Sequence, residues 1–137
     1  MSLLLARAAV NDANIHFDRL YSYLIPAQLV GKVYPGSMVL VPFGRGNKAR
    51  MAVVLAVEEA EEADAPQRLK SLYDAAPEEA RLTPDLLELV RFLKERTFCT
   101  WFEAVKAVIP YGAQYRPVTV DGRPVMQSRL TRSTEKL

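Results

Sequence analysis

The segment GSMVLVPFGRGNKARMAVVLAV, residues 36–57, contains the pattern on which the fold prediction depends. Two short, nearly continuous apolar runs flank a glycine-rich loop that carries three basic residues, Arg45, Lys48 and Arg50. Apolar runs of this length, bounded by turn residues and rich in β-branched side chains, are typical of strands buried on both faces. The segment therefore predicts two strands joined by a basic loop, which either keeps the surface soluble or binds a phosphate.

Composition sets the limits within which a function can be sought. The chain has 137 residues, half of them hydrophobic, which suffices for one domain with a substantial core. Its apolar runs are far shorter than the roughly 20 residues that a transmembrane helix needs, and no basic segment precedes the apolar N-terminus. One cysteine, Cys99, excludes an intramolecular disulfide and a thiolate-rich zinc site. We expect a cytoplasmic, monomeric protein without a membrane partner.

The first half of the chain has the patterning of strands. Residues 20–26, LYSYLIP, alternate in polarity, which predicts a half-buried strand that ends at Pro26. Residues 58–67 form an acidic, alanine-rich stretch that we interpret as a loop, and residues 68–77 are a further candidate strand. About five short strands with tight turns predict a small, strongly curved sheet or a barrel.

The second half changes to helical periodicity. Thr83 and Pro84 form a typical helix start, and an apolar stripe follows at Leu86, Leu89, Val90 and Leu93.

A second helix is predicted by the capping box of Thr100 with Glu103. From residue 116 the chain is polar and basic, with a turn-like DGRP at 121–124. We therefore predict an α+β domain over residues 1–115, in which two packed helices follow the sheet. Residues 116–137 are predicted to be a basic linker or the start of a following domain.

Signatures of catalysis are scarce, so we expect no enzymatic activity from this chain alone. The only histidine, His16, lies in a turn region and is more typical of a surface residue than of a catalyst. The glycine-rich GRGNK at 44–48 precedes a strand, so it lacks the helix N-terminus that makes such loops good phosphate cradles. No cofactor is predicted.

The sequence contains the residue types that bind single-stranded nucleic acids, although the net charge of +2 does not by itself indicate such a partner. Single-strand recognition needs aromatic faces on which bases stack and cations for the backbone. Several aromatic residues lie on or beside the predicted strands, near basic residues: Phe17, Tyr21, Tyr23, Tyr34 and Phe43. From the pattern alone, these rings either bind bases or fill a small core.

A series of short motifs resembles the N-terminal domain of the PriA family of primosomal replication-restart helicases (primosomal protein N′). The motifs are YSYLIP at 21–26, PG at 35–36, VPFG at 41–44, and a leucine–lysine strand with a helix pair over 68–110. The likeness covers roughly residues 3–112, and its specificity comes from the order and spacing of the motifs.

The resemblance implies a DNA-binding module that captures the 3′ terminus of a nascent leading strand at a stalled replication fork, independently of base sequence. It places the terminal nucleotide in a blind pocket formed by Tyr21, Ser22, Gly44 and Lys70. The implied roles are base stacking for Tyr21, close approach of the sugar at Gly44, and a phosphate contact for Lys70.

We expect Arg45, Lys48 and Arg50 to contact the DNA backbone. The implied partners are DNA with a free 3′ end and, through the full-length protein, primosome and single-strand-binding proteins. ATP-dependent unwinding is implied for the remainder of the longer protein.

Ser22 departs from the family pattern, which usually has an aspartate at this position. A serine accepts a hydrogen bond without a charge, and neutral acceptors bond more weakly than ionised ones. We therefore predict weaker discrimination of the DNA end in this chain. Two other functions remain open on the residues alone: a non-catalytic protein-interaction module, and an RNA-binding barrel.

Overall fold

The computed structural model describes residues 2–11, 19–61, 69–77, 81–97, 99–109 and 115–128. The described chain forms an α+β fold in which a five-stranded antiparallel sheet is followed by two helices and a two-stranded hairpin. The strands are β1 (Ser2–Val10), β2 (Tyr21–Leu24), β3 (Met38–Phe43), β4 (Lys48–Glu61), β5 (Asp74–Ala75), β6 (Tyr115–Val120) and β7 (Arg123–Ser128). The helices are α1 (Pro84–Arg96) and α2 (Trp101–Val108).

The long strand β4 organises the sheet, whose order is β2-β1-β4-β3-β5. The first part of β4 pairs with β3, from Phe43 opposite Lys48 to Met38 opposite Val53. Most of β4 also pairs with β1, with a shift of register after Arg7. Such a shift marks a β-bulge, which bends the strand and increases its twist.

The sheet curls far enough for its two edges to meet at one point. Leu24 in β2 forms an isolated bridge with Ser71, and the Leu24 N–H donates to the carbonyl oxygen of Lys70 at 2.8 Å. Of the two predicted alternatives, the curved sheet is correct, because this single bridge does not close a barrel. The strand predicted over residues 68–77 is limited to Asp74–Ala75 among the described residues.

Both faces of the central strands are buried, as the continuous apolar runs predict. One cluster, on the face of the sheet away from the helices, includes Val39, Val41 and Val54. The other lies between the sheet and the helices, and it includes Val53 and Leu55 of the same strand β4. Because successive side chains of a strand point to opposite faces, a strand covered on both sides has no polar face.

Both predicted helix starts are confirmed. The Thr83 hydroxyl accepts from the N–H of Leu86, and Thr100 and Glu103 form the complete capping box. The predicted apolar stripe of α1 is wrong at one position: Leu87 is buried, whereas Leu89 is 42% exposed.

Strands are found in the stretch predicted to be an acidic loop and in the segment predicted to be a basic linker or the start of a following domain. The acidic stretch assigned to a loop over 58–67 is part of β4 as far as Glu61, because these residues pair with the start of β1. Residues 115–128, which begin at the last residue of the predicted domain and continue into the basic segment, form the β6–β7 hairpin, whose turn has positive φ at Asp121 and Gly122. Positive φ at both central residues is the requirement of a type I′ hairpin turn.

His16, Phe17 and the end of the acidic stretch (residues 62–67) lie outside the described residues. None of the helices in the described ranges is both long and apolar enough to cross a membrane.

Candidate nucleic-acid interface

A cavity of about 360 Å³ lies where β2, the end of β3 and the segment before β5 meet. All four residues predicted for the end pocket contribute to its wall. The lining residues are Tyr21, Ser22, Tyr23, Pro42, Phe43, Gly44 and Lys70. Three separate segments of the chain converge here because the sheet curls and the Leu24–Ser71 bridge joins its edges.

Tyr21 forms the aromatic part of the wall together with Phe43. Their ring centroids are 5.2 Å apart and the rings are nearly perpendicular, an edge-to-face geometry that stabilises aromatic pairs. The guanidinium carbon of Arg19 lies 4.8 Å from the centroid of the Tyr21 ring. Tyr21 is half-buried, so part of the side chain remains accessible from solvent.

Tyr23 lies deeper in the same wall and is 4% exposed. Burial, together with repulsion from ionised Tyr21, raises the pKa of Tyr23 from 10.0 to about 12. At neutral pH its phenol is therefore uncharged and retains its hydrogen-bond donor.

The turn that joins β3 to β4 borders the cavity and has an unusual backbone. Gly44 has a φ of 76° and Asn47 a φ of 49°, and the Asn47 N–H donates to the Gly44 carbonyl oxygen at 3.2 Å. A Cβ built on Gly44 would meet no atom within 4 Å, so the backbone angle, rather than crowding within the protein, favours glycine.

Side chains from the segment before β5 hold both ends of this turn. Lys70 Nζ donates to the carbonyl oxygen of Gly44 at 3.0 Å. The Tyr73 hydroxyl donates to the carbonyl oxygen of Asn47 at 2.8 Å. The ammonium of Lys70 is thereby held beside the glycine that was predicted to approach the nucleotide.

Ser22 lies on β2 directly opposite Arg7 of β1. Because side chains alternate along a strand, Ser22 projects from the opposite face to Tyr21 and Tyr23. Arg7 makes an exposed ion pair with Glu58, at 3.6 Å. An aspartate at position 22 would therefore have the Arg7 cation across the strand pair, on the face opposite to the two tyrosine rings.

The three cations predicted to contact the DNA backbone are outside the cavity wall but close to it in the chain. Arg45 is exposed on the turn, and Lys48 is exposed at the first position of β4, opposite Phe43. Arg50 is half-buried and has an interaction within the protein. Of the three, Arg45 and Lys48 are more accessible to a ligand.

Sequence reasoning did not single out three residues that shape the site: Arg19, Pro42 and Tyr73. Pro42 belongs to the VPFG motif, and its place beside Phe43 was available from that motif. Arg19 lies two residues before Tyr21, and Tyr73 lies within the 68–110 motif, but neither motif indicates the contacts that the two side chains make with Tyr21 and Asn47.

Aromatic rings beside cations, at the edge of a small curved sheet, are features shared by domains that bind single-stranded nucleic acids. Residues 9–110 match the family described as the 3′ DNA-binding domain (3′BD) of PriA, and the chain belongs to this family. The resemblance predicted from the motifs is thereby confirmed, and with it a DNA-binding role.

Two relatives carry the name replication restart protein PriA. The chain is 29% identical to the protein of Chlamydia trachomatis over 100 residues, which is 71% of this chain. It is 30% identical to the protein of Bacillus subtilis over 107 residues, which is 77% of this chain. In both cases the match spans 13% of the relative's length.

Proposed function

We propose that this chain captures the 3′-terminal nucleotide of a DNA strand in the cavity lined by Tyr21, Ser22, Gly44 and Lys70. The observation that carries the proposal is the convergence of these four residues, which come from three separate segments, on one cavity. A volume of about 360 Å³ is at the small end of the range for ligand pockets, which suits one nucleotide rather than a continuous strand.

The chemistry of the wall fits a nucleotide. Tyr21 offers a ring for base stacking, a contact that contributes about 1–3 kcal/mol and tolerates every base. Lys70 supplies a positive charge beside the wall, and the lining contains no carboxylate among the described residues. Capture of the end is therefore expected to be independent of base sequence.

The backbone upstream of the terminal nucleotide would pass the exposed cations of the β3–β4 turn. Arg45 and Lys48 are the contacts we favour, whereas Arg50 is engaged within the protein. Each phosphate contact on a single strand steepens the dependence of log affinity on log salt by about 0.7.

The relatives' names place such a domain in replication restart, and we extend this role to the present chain. A free 3′ end at a stalled fork is then the substrate. Fork unwinding and contacts with primosome and single-strand-binding proteins belong, in this proposal, to a longer protein.

The proposal is tested by fluorescence anisotropy with a 5′-labelled oligonucleotide whose 3′ end carries either a hydroxyl or a phosphate. We expect tighter binding of the free hydroxyl, and Tyr21→Leu weakens that binding by about fivefold or more. Phe92→Leu is the matched control, because Phe92 is 50% exposed on α1 and does not line the cavity. Equal affinity for both ends, with no effect of Tyr21→Leu, would refute end capture.

A further inference from the structure

A second cavity, of about 320 Å³, lies at the opposite end of β3 from the end pocket. The end pocket contains Phe43, the last residue of β3, whereas this cavity contains Ser37, which immediately precedes the strand. We call it the distal cavity. Its lining residues are Gly31, Lys32, Tyr34, Ser37, Ala75, Ala76, Pro77 and Arg81.

Two cations and an aromatic ring face the distal cavity. Lys32 is exposed, and Arg81 is half-buried. The guanidinium carbon of Arg81 lies 4.8 Å from the centroid of the Tyr34 ring, which is a cation–π contact, and Arg81 Nε donates to the carbonyl oxygen of Pro35 at 3.0 Å. These contacts fix the guanidinium in place, which reduces the entropy lost when it binds a ligand.

The backbone around Arg81 is held just as closely. The Leu82 N–H donates to the carbonyl oxygen of Gly36 at 2.9 Å. A Cβ built on Gly36 would lie 2.2 Å from the Leu82 oxygen, so only glycine permits this approach. The loop that carries Tyr34 and the segment that carries Arg81 are therefore docked as one unit.

Ser37 adds a buried polar group to the wall. The residue is 4% exposed, and its hydroxyl oxygen accepts from the Tyr34 N–H at 2.9 Å. In the described part of the chain, the hydroxyl hydrogen has no acceptor assigned to it. The hydroxyl can donate one hydrogen bond besides the one it accepts, so a ligand oxygen in the cavity is a suitable acceptor.

We propose that the distal cavity binds an internal nucleotide of single-stranded DNA. The phosphate lies between Lys32 and Arg81 and accepts from the Ser37 hydroxyl, while the base stacks on the Arg81–Tyr34 pair. Guanidinium planes and aromatic rings both serve as stacking surfaces for unpaired bases. The site needs no strand terminus, so it is separate from the proposed end pocket and does not depend on it.

Charge and size favour a nucleotide over other ligands. The described lining contains two cations and no carboxylate, and its volume is close to that of the end pocket. Glu78 and Glu79 precede Arg81 in the sequence and lie outside the described residues. A strand, rather than a free nucleotide, is the ligand we favour, because the chain belongs to a DNA-binding domain family.

The test uses the 137-residue chain and a 12-residue oligothymidine whose 3′ end is blocked by a phosphate, with anisotropy measured at several salt concentrations. Lys32→Gln should weaken binding about two- to fivefold and lower the log–log salt slope by about 0.7. Tyr34→Leu should weaken it about fivefold or more. Lys106→Gln, at an exposed position of α2, is the matched charge control and should have no effect on either quantity.

Two further measurements distinguish binding of a strand in the distal cavity from binding in the end pocket and from binding of a free nucleotide. Lys32→Gln made in a Tyr21→Leu background should weaken binding of the blocked strand by the same factor as Lys32→Gln alone, because the two cavities share no lining residue. Thymidine monophosphate should displace the labelled strand only at a concentration far above that of the strand, with both concentrations expressed per nucleotide. Unchanged binding in both Lys32→Gln and Tyr34→Leu, or competition by the mononucleotide at equal nucleotide concentration, overturns the proposal.

The melting temperature of each variant shows whether the substitution has changed the stability of the fold. Should Tyr34→Leu melt below the control, amide shifts of the unmodified chain with the same blocked strand decide the question. Shifts at Lys32, Tyr34 and Arg81 support the proposal. Shifts confined to Tyr21 and Gly44 overturn it.

Discussion

Gly44→Ala has two expected effects: it strains the β3–β4 turn, and it occupies space that a DNA end would need. Comparison with Gly122→Ala distinguishes the two effects. Gly122, in the β6–β7 turn, is a matched control because it has the same φ of 76° and an added Cβ there also meets no atom within 4 Å. An L-residue with left-handed backbone angles costs about 1–2 kcal/mol. For a chain of this size, each kcal/mol lowers the melting temperature by about 3–5 °C.

Both variants should therefore lose similar stability, but only Gly44→Ala adds a methyl group to the wall of the end pocket. Overpacking by one methyl group costs about 1–3 kcal/mol. If the sugar of the terminal nucleotide approaches this backbone, that penalty weakens binding by about five- to 140-fold. The assay is anisotropy with the free-3′-hydroxyl oligonucleotide, at a temperature well below both melting transitions.

The expected result is similar melting temperatures for the two variants, with DNA binding weakened only in Gly44→Ala. If the two variants bind the free 3′ end equally, the sugar does not pack against Gly44. In that case the glycine serves the turn alone, through its positive φ.

Three other results are expected. Tyr73→Phe removes the hydroxyl that donates to the Asn47 carbonyl oxygen, and it should weaken binding of the free 3′ end about two- to fivefold. The melting temperature should stay within a few degrees of that of the unmodified protein. Unchanged affinity would show that DNA binding does not need this hydrogen bond to the turn. Ser22→Asp should increase the preference for a 3′-hydroxyl over a 3′-phosphate, measured as the ratio of the two affinities. An unchanged ratio would mean that Arg7 pairs with the new carboxylate or that position 22 does not contact the DNA terminus. The raised pKa of Tyr23 means that the folded protein retains a proton that the unfolded chain loses. The free energy of unfolding should therefore fall by about 2 kcal/mol as pH rises from 10 to 12. Denaturant titrations of Tyr23→Phe should lack this part of the decline, and an identical decline would contradict the assigned pKa.

The sequence by itself determined the central strands, the helix starts and the family. Apolar runs without a polar face predicted strands buried on both sides, and threonines before amphipathic segments predicted where α1 and α2 begin. These features are local, because strand burial and helix capping depend on residues a few positions apart. The order and spacing of short motifs were likewise sufficient to recognise the family. The resemblance to that family then indicated the candidate residues of the end pocket.

Tertiary structure decided which of these residues meet and what holds them. Tyr21 and Phe43 are in contact although β1 and β4 separate their strands in the sheet, because the sheet curls and the bridge at Ser71 joins its edges. Lys70 reaches the Gly44 carbonyl across 26 residues of chain. Curvature depends on a bulge and on packing against both faces, which no local periodicity encodes, so the shape of both cavities follows only from the folded chain.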